Sequence, residues 1–237
     1  MFSTYRLYRK QTTQIKNRIH SLLKERLYGF TREEIFSQKS RKVIRGIESG
    51  KILSFQINEL LDHLESLEGR IEVLQDKIKE QAEPYMREIE ILTSMKGISV
   101  FIAIAIIADI IKVDRFKDSK SFTSYLRSAP KVSNSNTSEG HMRTNKKGRK
   151  LSATLLSQSL NHMLAASEKL NRWYTRLIRY KKAGMVRSGL RRRVLTEIYQ
   201  MLKKGEYHYA RDARKHGEKL NEYKKFLEKR KVFIKTA

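Results

Sequence analysis

From Ile57 to Ile78, large apolar residues return at alternating intervals of three and four: Ile57, Leu60, Leu64, Leu67, Ile71, Leu74 and Ile78. Such a stripe runs down one side of an α-helix with a seven-residue repeat, the a/d seam of a coiled coil. Each large apolar side chain on it gains roughly 1.5–3 kcal/mol when taken out of water, and a lone helix has nothing to bury it against. The seam therefore demands a second helix. Either another copy of the chain supplies it, giving a homo-oligomer through residues 57–78, or the chain folds back on itself. An amphipathic helix laid on the body of the protein would use the same stripe.

Helix is the expected state of most of the chain. Only 2 Pro and 11 Gly occur in 237 residues, too few for a collagen-like, linker-dominated or many-turned all-β protein. The fold class read from the sequence is mainly α: a basic N-terminal helix, a coiled-coil helix, then a compact helical domain with a hairpin turn and a basic serine-containing loop. The corresponding segments are 1–50, 51–92, 93–210 and a charged tail, 211–237. Cysteine is absent, which excludes disulfide scaffolds, thiolate metal sites and cysteine nucleophiles. The opening residues are too polar for a signal peptide. The most apolar run, Ile98 to Ile111, is interrupted by Asp109 and falls short of the roughly 20 residues a membrane helix needs. A cytoplasmic protein without a membrane partner is the expectation.

Charge narrows the partner. Lys and Arg number 51 against 25 Asp and Glu, a formal +26, far more than solubility requires. The surplus is uneven: residues 151–237 carry 22 basic and 7 acidic groups, whereas residues 51–90 carry 5 and 10. An acidic stretch inside a basic protein is kept away from polyanions and reads as an assembly element. Residues 1–24 contain no carboxylate, and Arg6, Arg9, Lys10, Lys16, Arg18 and Lys24 there form a basic helix with Leu7, Ile15, Ile19, Leu22 and Leu23 for its apolar face.

The central block opens with a helix ending near Gly97, a Gly-Ile-Ser turn and a strongly apolar helix. This order fits either a plain corner in a helical core or a helix-hairpin-helix, whose second helix turns its free N–H groups toward a phosphate. Phe116, Phe122, Tyr125 and Leu126 then fall at helical spacings, and Pro130 stops that helix. Residues 131–150 hold almost no large apolar group. Ser133, Ser135, Thr137 and Ser138 stand among Lys131, Arg143, Lys146, Lys147, Arg149 and Lys150. Two readings stay open: a solvated surface loop, or a hydroxyl-bearing loop pressed against phosphates, with Gly140 and Gly148 allowing close backbone approach. His141 stands alone, and no metal-ligand spacing occurs. Further on, Trp173, Tyr174 and Tyr180 are interleaved with Arg176, Arg179, Lys181 and Lys182, followed by Arg187, Arg191, Arg192 and Arg193. Arginine among aromatics suits phosphate forks and base stacking. The helix 190–202 buries Val194, Leu195, Ile198, Tyr199 and Leu202, so its arginines are expected to point outward. The charge-rich tail after Tyr209 is expected to fray.

The succession LTSMKGIS, DRFKDSKSFTSYLRSAPKVSNSN, KKGRK and WYTRLIRYKKAGMVRSGLRRRVLTEIYQMLKKGEYHY resembles the C-terminal half of the insertion-sequence one-ten family of transposases, also called bridge-RNA-guided serine recombinases. The likeness covers roughly Leu92 to Tyr209. In that family a RuvC-like domain bearing a DEDD set of metal-binding carboxylates precedes a coiled coil and a C-terminal domain with a nucleophilic serine. Counting without gaps from Pro130, the resemblance puts that serine at Ser135, with Ser133 and Ser138 as neighbouring hydroxyls, and the family's later glycine at Gly148. Arg127-Ser128 stands where the family has Gly-Leu before its proline, and Asn136 where it has a glycine after the serine. No Asp or Glu precedes Glu25, so the resemblance implies that the RuvC-like half lies outside this chain. It further implies DNA as partner, a structured guide RNA, and magnesium held by the RuvC-like carboxylates, with no cofactor in this chain. The implied reaction is attack of the serine hydroxyl on a DNA phosphodiester during transposition. A truncated transposase, one half of a split recombinase and a non-catalytic nucleic-acid-binding protein are the functions compatible with the sequence.

Overall fold

The computed structural model describes residues 1–25, 37–47, 50–128 and 148–236, with side chains as far as residue 231. Among these residues there are ten α-helices and no strand, so the chain is mainly α. It divides into two compact units, Met1–Ile78 and Lys79–Ala237.

The first unit consists of α1 (Phe2–Glu25), α2 (Gln38–Arg45) and α3 (Lys51–Gln81) as far as Ile78. Ile19, Leu22 and Leu23 of α1, Ile44 of α2, and Ile57, Leu61 and Leu64 of α3 form one buried cluster. The helix that covers this part of the seam therefore comes from the chain folding back. Lys16 pairs with Glu68 at 3.0 Å, so earlier positions of α1 meet later positions of α3 and the two helices run antiparallel. Leu61 takes the core place that the repeat gave to Leu60, which is only half-buried, as is Leu74. Leu7, expected on the apolar face of α1, is exposed. Arg41 forks onto Glu68 with bonds of 2.7 and 2.9 Å, and Arg45 reaches Asp62 and Glu65. Burial by itself would raise the Glu68 carboxyl, but hydrogen bonds from Arg41 and Lys16 outweigh it and hold the group below its ordinary value. Acidic α3 thus neutralises part of the basic charge of α1 and α2.

The second unit packs α4 (Met86–Thr93), α5 (Val100–Ile110), α6 (Ser119–Tyr125), α7 (Leu151–Ala166), α8 (Glu168–Ile178) and α10 (Ala213–Thr236) with α9 (Ala183–Lys204). Val186, Leu190, Val194, Leu195 and Ile198 run along the buried side of α9, which touches α4, α6, α7 and α8. Apolar on nearly all faces, α5 buries every residue from Ala103 to Ile107, as a helix covered on most sides must. Ser99 caps it, accepting a bond from the N–H of Ile102. Gly97, at φ 90°, lies against α7: a Cβ there would come within 2.5 Å of the Met163 side chain and 3.1 Å of its backbone nitrogen. That side of the turn meets protein, as in a corner of a helical core.

The tail does not fray. Residues 213–236 form α10, with His216, Tyr223 and Leu227 buried. What holds it is invisible to a hydropathy reading, because much of it is backbone carbonyl. The Tyr223 hydroxyl donates to the Lys79 carbonyl at 2.7 Å, His216 Nε2 lies 2.9 Å from the Glu90 carbonyl, and Lys219 donates to the carbonyls of Thr93 and Ile98. Lys231 pairs with Glu83.

Candidate nucleic-acid interface

The sequence directs attention to the segment beginning at Pro130. Ser133, Ser135, Ser138, Lys131, Arg143, Lys146 and Lys147 lie outside the described residues. The two strands of chain that lead into and out of this segment are described, and they are bound to each other.

On the incoming side α6 ends at Tyr125, and Arg127 adopts φ 56°. A non-glycine residue takes that left-handed conformation at a cost of about 1 kcal/mol or more. On the outgoing side Gly148 has φ 108°, and a Cβ on it would stand 2.3 Å from the Tyr125 carbonyl oxygen; only glycine fits. The Arg149 N–H then donates to that same carbonyl at 2.9 Å. Arg127 Nε donates to the Gly148 carbonyl at 2.7 Å. The Arg149 guanidinium reaches the Tyr125 hydroxyl at 3.1 Å, a bond that raises its already high pKa.

Arg191 of α9 locks this neck from below. Its Nε donates to Ser128 Oγ at 2.8 Å, one terminal nitrogen to the Arg127 carbonyl at 2.8 Å, and the other to Ser157 Oγ at 2.9 Å. All three acceptors are neutral. Burial pulls the guanidinium below its ordinary pKa, though arginine stays charged at any physiological pH. One turn earlier, Arg187 bonds Asn161 Oδ1 at 2.9 Å and so ties α9 to α7. The three consecutive arginines do not all point outward, contrary to the expectation. Successive helical residues are rotated by about 100°, so Arg191 turns into the neck, while Arg193 lies over Trp173 and pairs with Glu197. Arg192 is exposed.

The far side of the neck depends on Asp109. Its buried carboxylate accepts bonds from the backbone N–H and the hydroxyl of Ser152, at 3.0 and 2.7 Å. Lys150, the cap residue of α7, supplies no side-chain cap, so Asp109 does so from a distance and places negative charge at a helix N-terminus, where it is favoured. Sequence reasoning missed Asp109, Arg127 and Ser128. The signal for Asp109 was a lone carboxylate in an otherwise apolar run.

Of the described basic residues predicted to bind nucleic acid, Arg149, Lys150, Arg187 and Arg191 gather at or beside the neck. Arg149 and Lys150 are exposed, whereas Arg187 and Arg191 are partly buried structural ties. Among the described residues no three His, Asp or Glu side chains group as a metal ion would require. No helix of the described residues is long and apolar enough to cross a membrane.

With this geometry in hand, the comparison with known families is specific. Residues 89–175 match the model of the Transposase IS116/IS110/IS902 family. The matched stretch runs from α4 through α8 and includes the neck and the segment it carries. This part of the chain is similar to a transposase domain of insertion sequences. No curated protein matches the chain.

Proposed function

We propose that this chain is the DNA-gripping, serine-bearing part of an insertion-sequence transposase, with Ser135 as the nucleophile. The observation that carries the reading is the neck: Arg191 bonds Ser128 and the Arg127 carbonyl, Arg127 in turn bonds the Gly148 carbonyl, and the Arg149 N–H bonds the Tyr125 carbonyl; the family match spans the chain from Tyr125 to Arg149. The described chain on either side of residues 129–147 is thereby joined on a helical base. Arg149 and Lys150 at the base meet the phosphates of DNA, which fixes the register of the segment without reading sequence. The Ser135 hydroxyl then attacks a phosphodiester: a new oxygen–phosphorus bond joins serine to DNA, the hydroxyl proton is given up, and the displaced sugar oxygen takes a proton as it leaves. A guide RNA and the assembly of copies belong to the same reading.

A weak nucleophile such as serine needs activation by a neighbouring base, and the resemblance assigns that apparatus to the RuvC-like half. The test is therefore made in cells carrying the whole element, by trapping covalent protein–DNA adducts on its labelled ends. Ser135→Ala is expected to abolish the adduct, while Ser133→Ala and Ser138→Ala retain it. An adduct that survives Ser135→Ala removes the nucleophile from position 135. Purified chain that binds neither DNA nor RNA removes the whole reading.

A further inference from the structure

We infer that the turn between α8 and α9 is a second nucleic-acid contact, distinct from the neck, which grips unpaired bases by stacking on Tyr180. This rests on the reading of the chain as a DNA-binding protein and adds to it the kind of DNA this tip takes.

Every residue from Ile178 to Met185 is exposed. In that run Tyr180 is 65 % accessible, Met185 57 % and Ile178 38 %, although each would gain by burial. Only four residues, 179–182, separate α8 from α9, so these apolar groups share one narrow tip. Surrounding them are Arg176, Arg179, Lys181 and Lys182. Between Glu168 and Glu197 the sequence has ten basic residues and no acidic one, and among the described residues none of the four tip cations has a carboxylate partner. Three basic residues of the first unit are treated differently: Lys16, Arg41 and Arg45 are paired with Glu68, Asp62 and Glu65. The fold has left the tip cations uncompensated next to an unburied phenol ring.

Nucleic acid answers both features at once. Its phosphates pair with the cations, and the flat face of a base covers a ring that protein leaves bare. In a duplex the bases are stacked on one another, so a ring on a protruding turn gains most where bases are already unpaired. A membrane surface is the competing partner for a basic tip with apolar residues, but only three apolar side chains among four cations give it little to insert.

The full-length chain is titrated into a fluorescent duplex containing an unpaired bubble with 2-aminopurine at its centre, into the fully paired duplex, and into vesicles of mixed neutral and anionic phospholipid. Tyr180→Ala is expected to weaken bubble binding roughly tenfold and to abolish the 2-aminopurine change, as loss of one stacked base would. Tyr180→Phe keeps both, and duplex binding moves by less than about twofold in either variant. Unchanged circular dichroism confirms that the exposed substitution leaves the fold intact. If Tyr180→Ala binds the bubble like the unaltered chain, or loses vesicle binding instead, the tip inference is overturned while the neck stands. If the unaltered chain binds none of the DNA probes, the proposed function falls with it.

Discussion

Arg191 shows how a charged side chain can be structural without an opposite charge nearby. Its three bonds go to Ser128, Ser157 and a backbone carbonyl, and charged donors make such bonds stronger than neutral ones. Arg191→Met preserves length and packing but leaves Ser128 and the Arg127 carbonyl without a donor. The expected loss is about 2–3 kcal/mol in urea denaturation. Arg191→Lys recovers little, because an ammonium is a point donor and cannot reproduce the planar fork. A loss within about 0.5 kcal/mol, the level of an ordinary surface substitution, would show that the neck does not depend on this residue. Arg127 belongs to the same scale. Its positive φ is tolerated because its side chain and its carbonyl are both bound, to Gly148 and to Arg191.

At the scale of elements, α10 is the helix whose attachment is expected to depend on pH. His216 is buried, with Nε2 donating to the Glu90 carbonyl and Thr93 beside it. Burial pushes its pKa below the ordinary value; the bond to Glu90 opposes this, while the Arg211 and Lys219 charges add to it. The folded state therefore prefers neutral imidazole. The stabilisation is fully present above the unfolded-state pKa of about 6.5 and is lost as pH falls through the lower folded value. Burial lowers Lys219 in the same direction. Amide protection in residues 213–231, taken relative to the intrinsic exchange rate at each pH, is expected to fall between neutral and mildly acidic pH, and His216→Phe to flatten that dependence; an equal fall in the variant would assign the effect to another group. Tyr223→Phe removes a bond to a backbone carbonyl and is expected to cost about 1 kcal/mol by denaturant titration. Most helices were legible from the sequence because apolar spacing alone defines them: the α3 stripe, the α5 run, and the Val194, Leu195 and Ile198 face of α9. The α10 helix was not, since three of its anchoring side chains, His216, Lys219 and Tyr223, bond to backbone carbonyls elsewhere in the chain. The neck was legible only in part. Gly148 could be counted from Pro130, but its closure needs Tyr125, Arg127 and Arg191, whose meeting is a tertiary fact.

For the molecule as a whole, net charge is a poor guide to how many phosphates it can hold. A formal +26 would imply a very steep salt dependence if every surplus cation were available, since each phosphate neutralised contributes about −0.9 to the slope of log K against log salt on duplex DNA. In the first unit, however, Arg41 and Arg45 already face carboxylates on α3, and releasing them for DNA would strand Glu68 and its neighbours. Replacing both, Arg41→Gln with Arg45→Gln, is thus expected to lower stability and to leave the salt slope unchanged within error. Arg149→Gln with Lys150→Gln, at the exposed base of the neck, is expected to flatten the slope by about 2 on fully paired DNA, with affinity falling uniformly across sequences. Anisotropy titrations over a range of salt concentrations separate the two pairs. A slope that changes equally in both would mean that total charge alone drives binding, and that the pairing of α3 with α1 and α2 does nothing to direct DNA toward the neck.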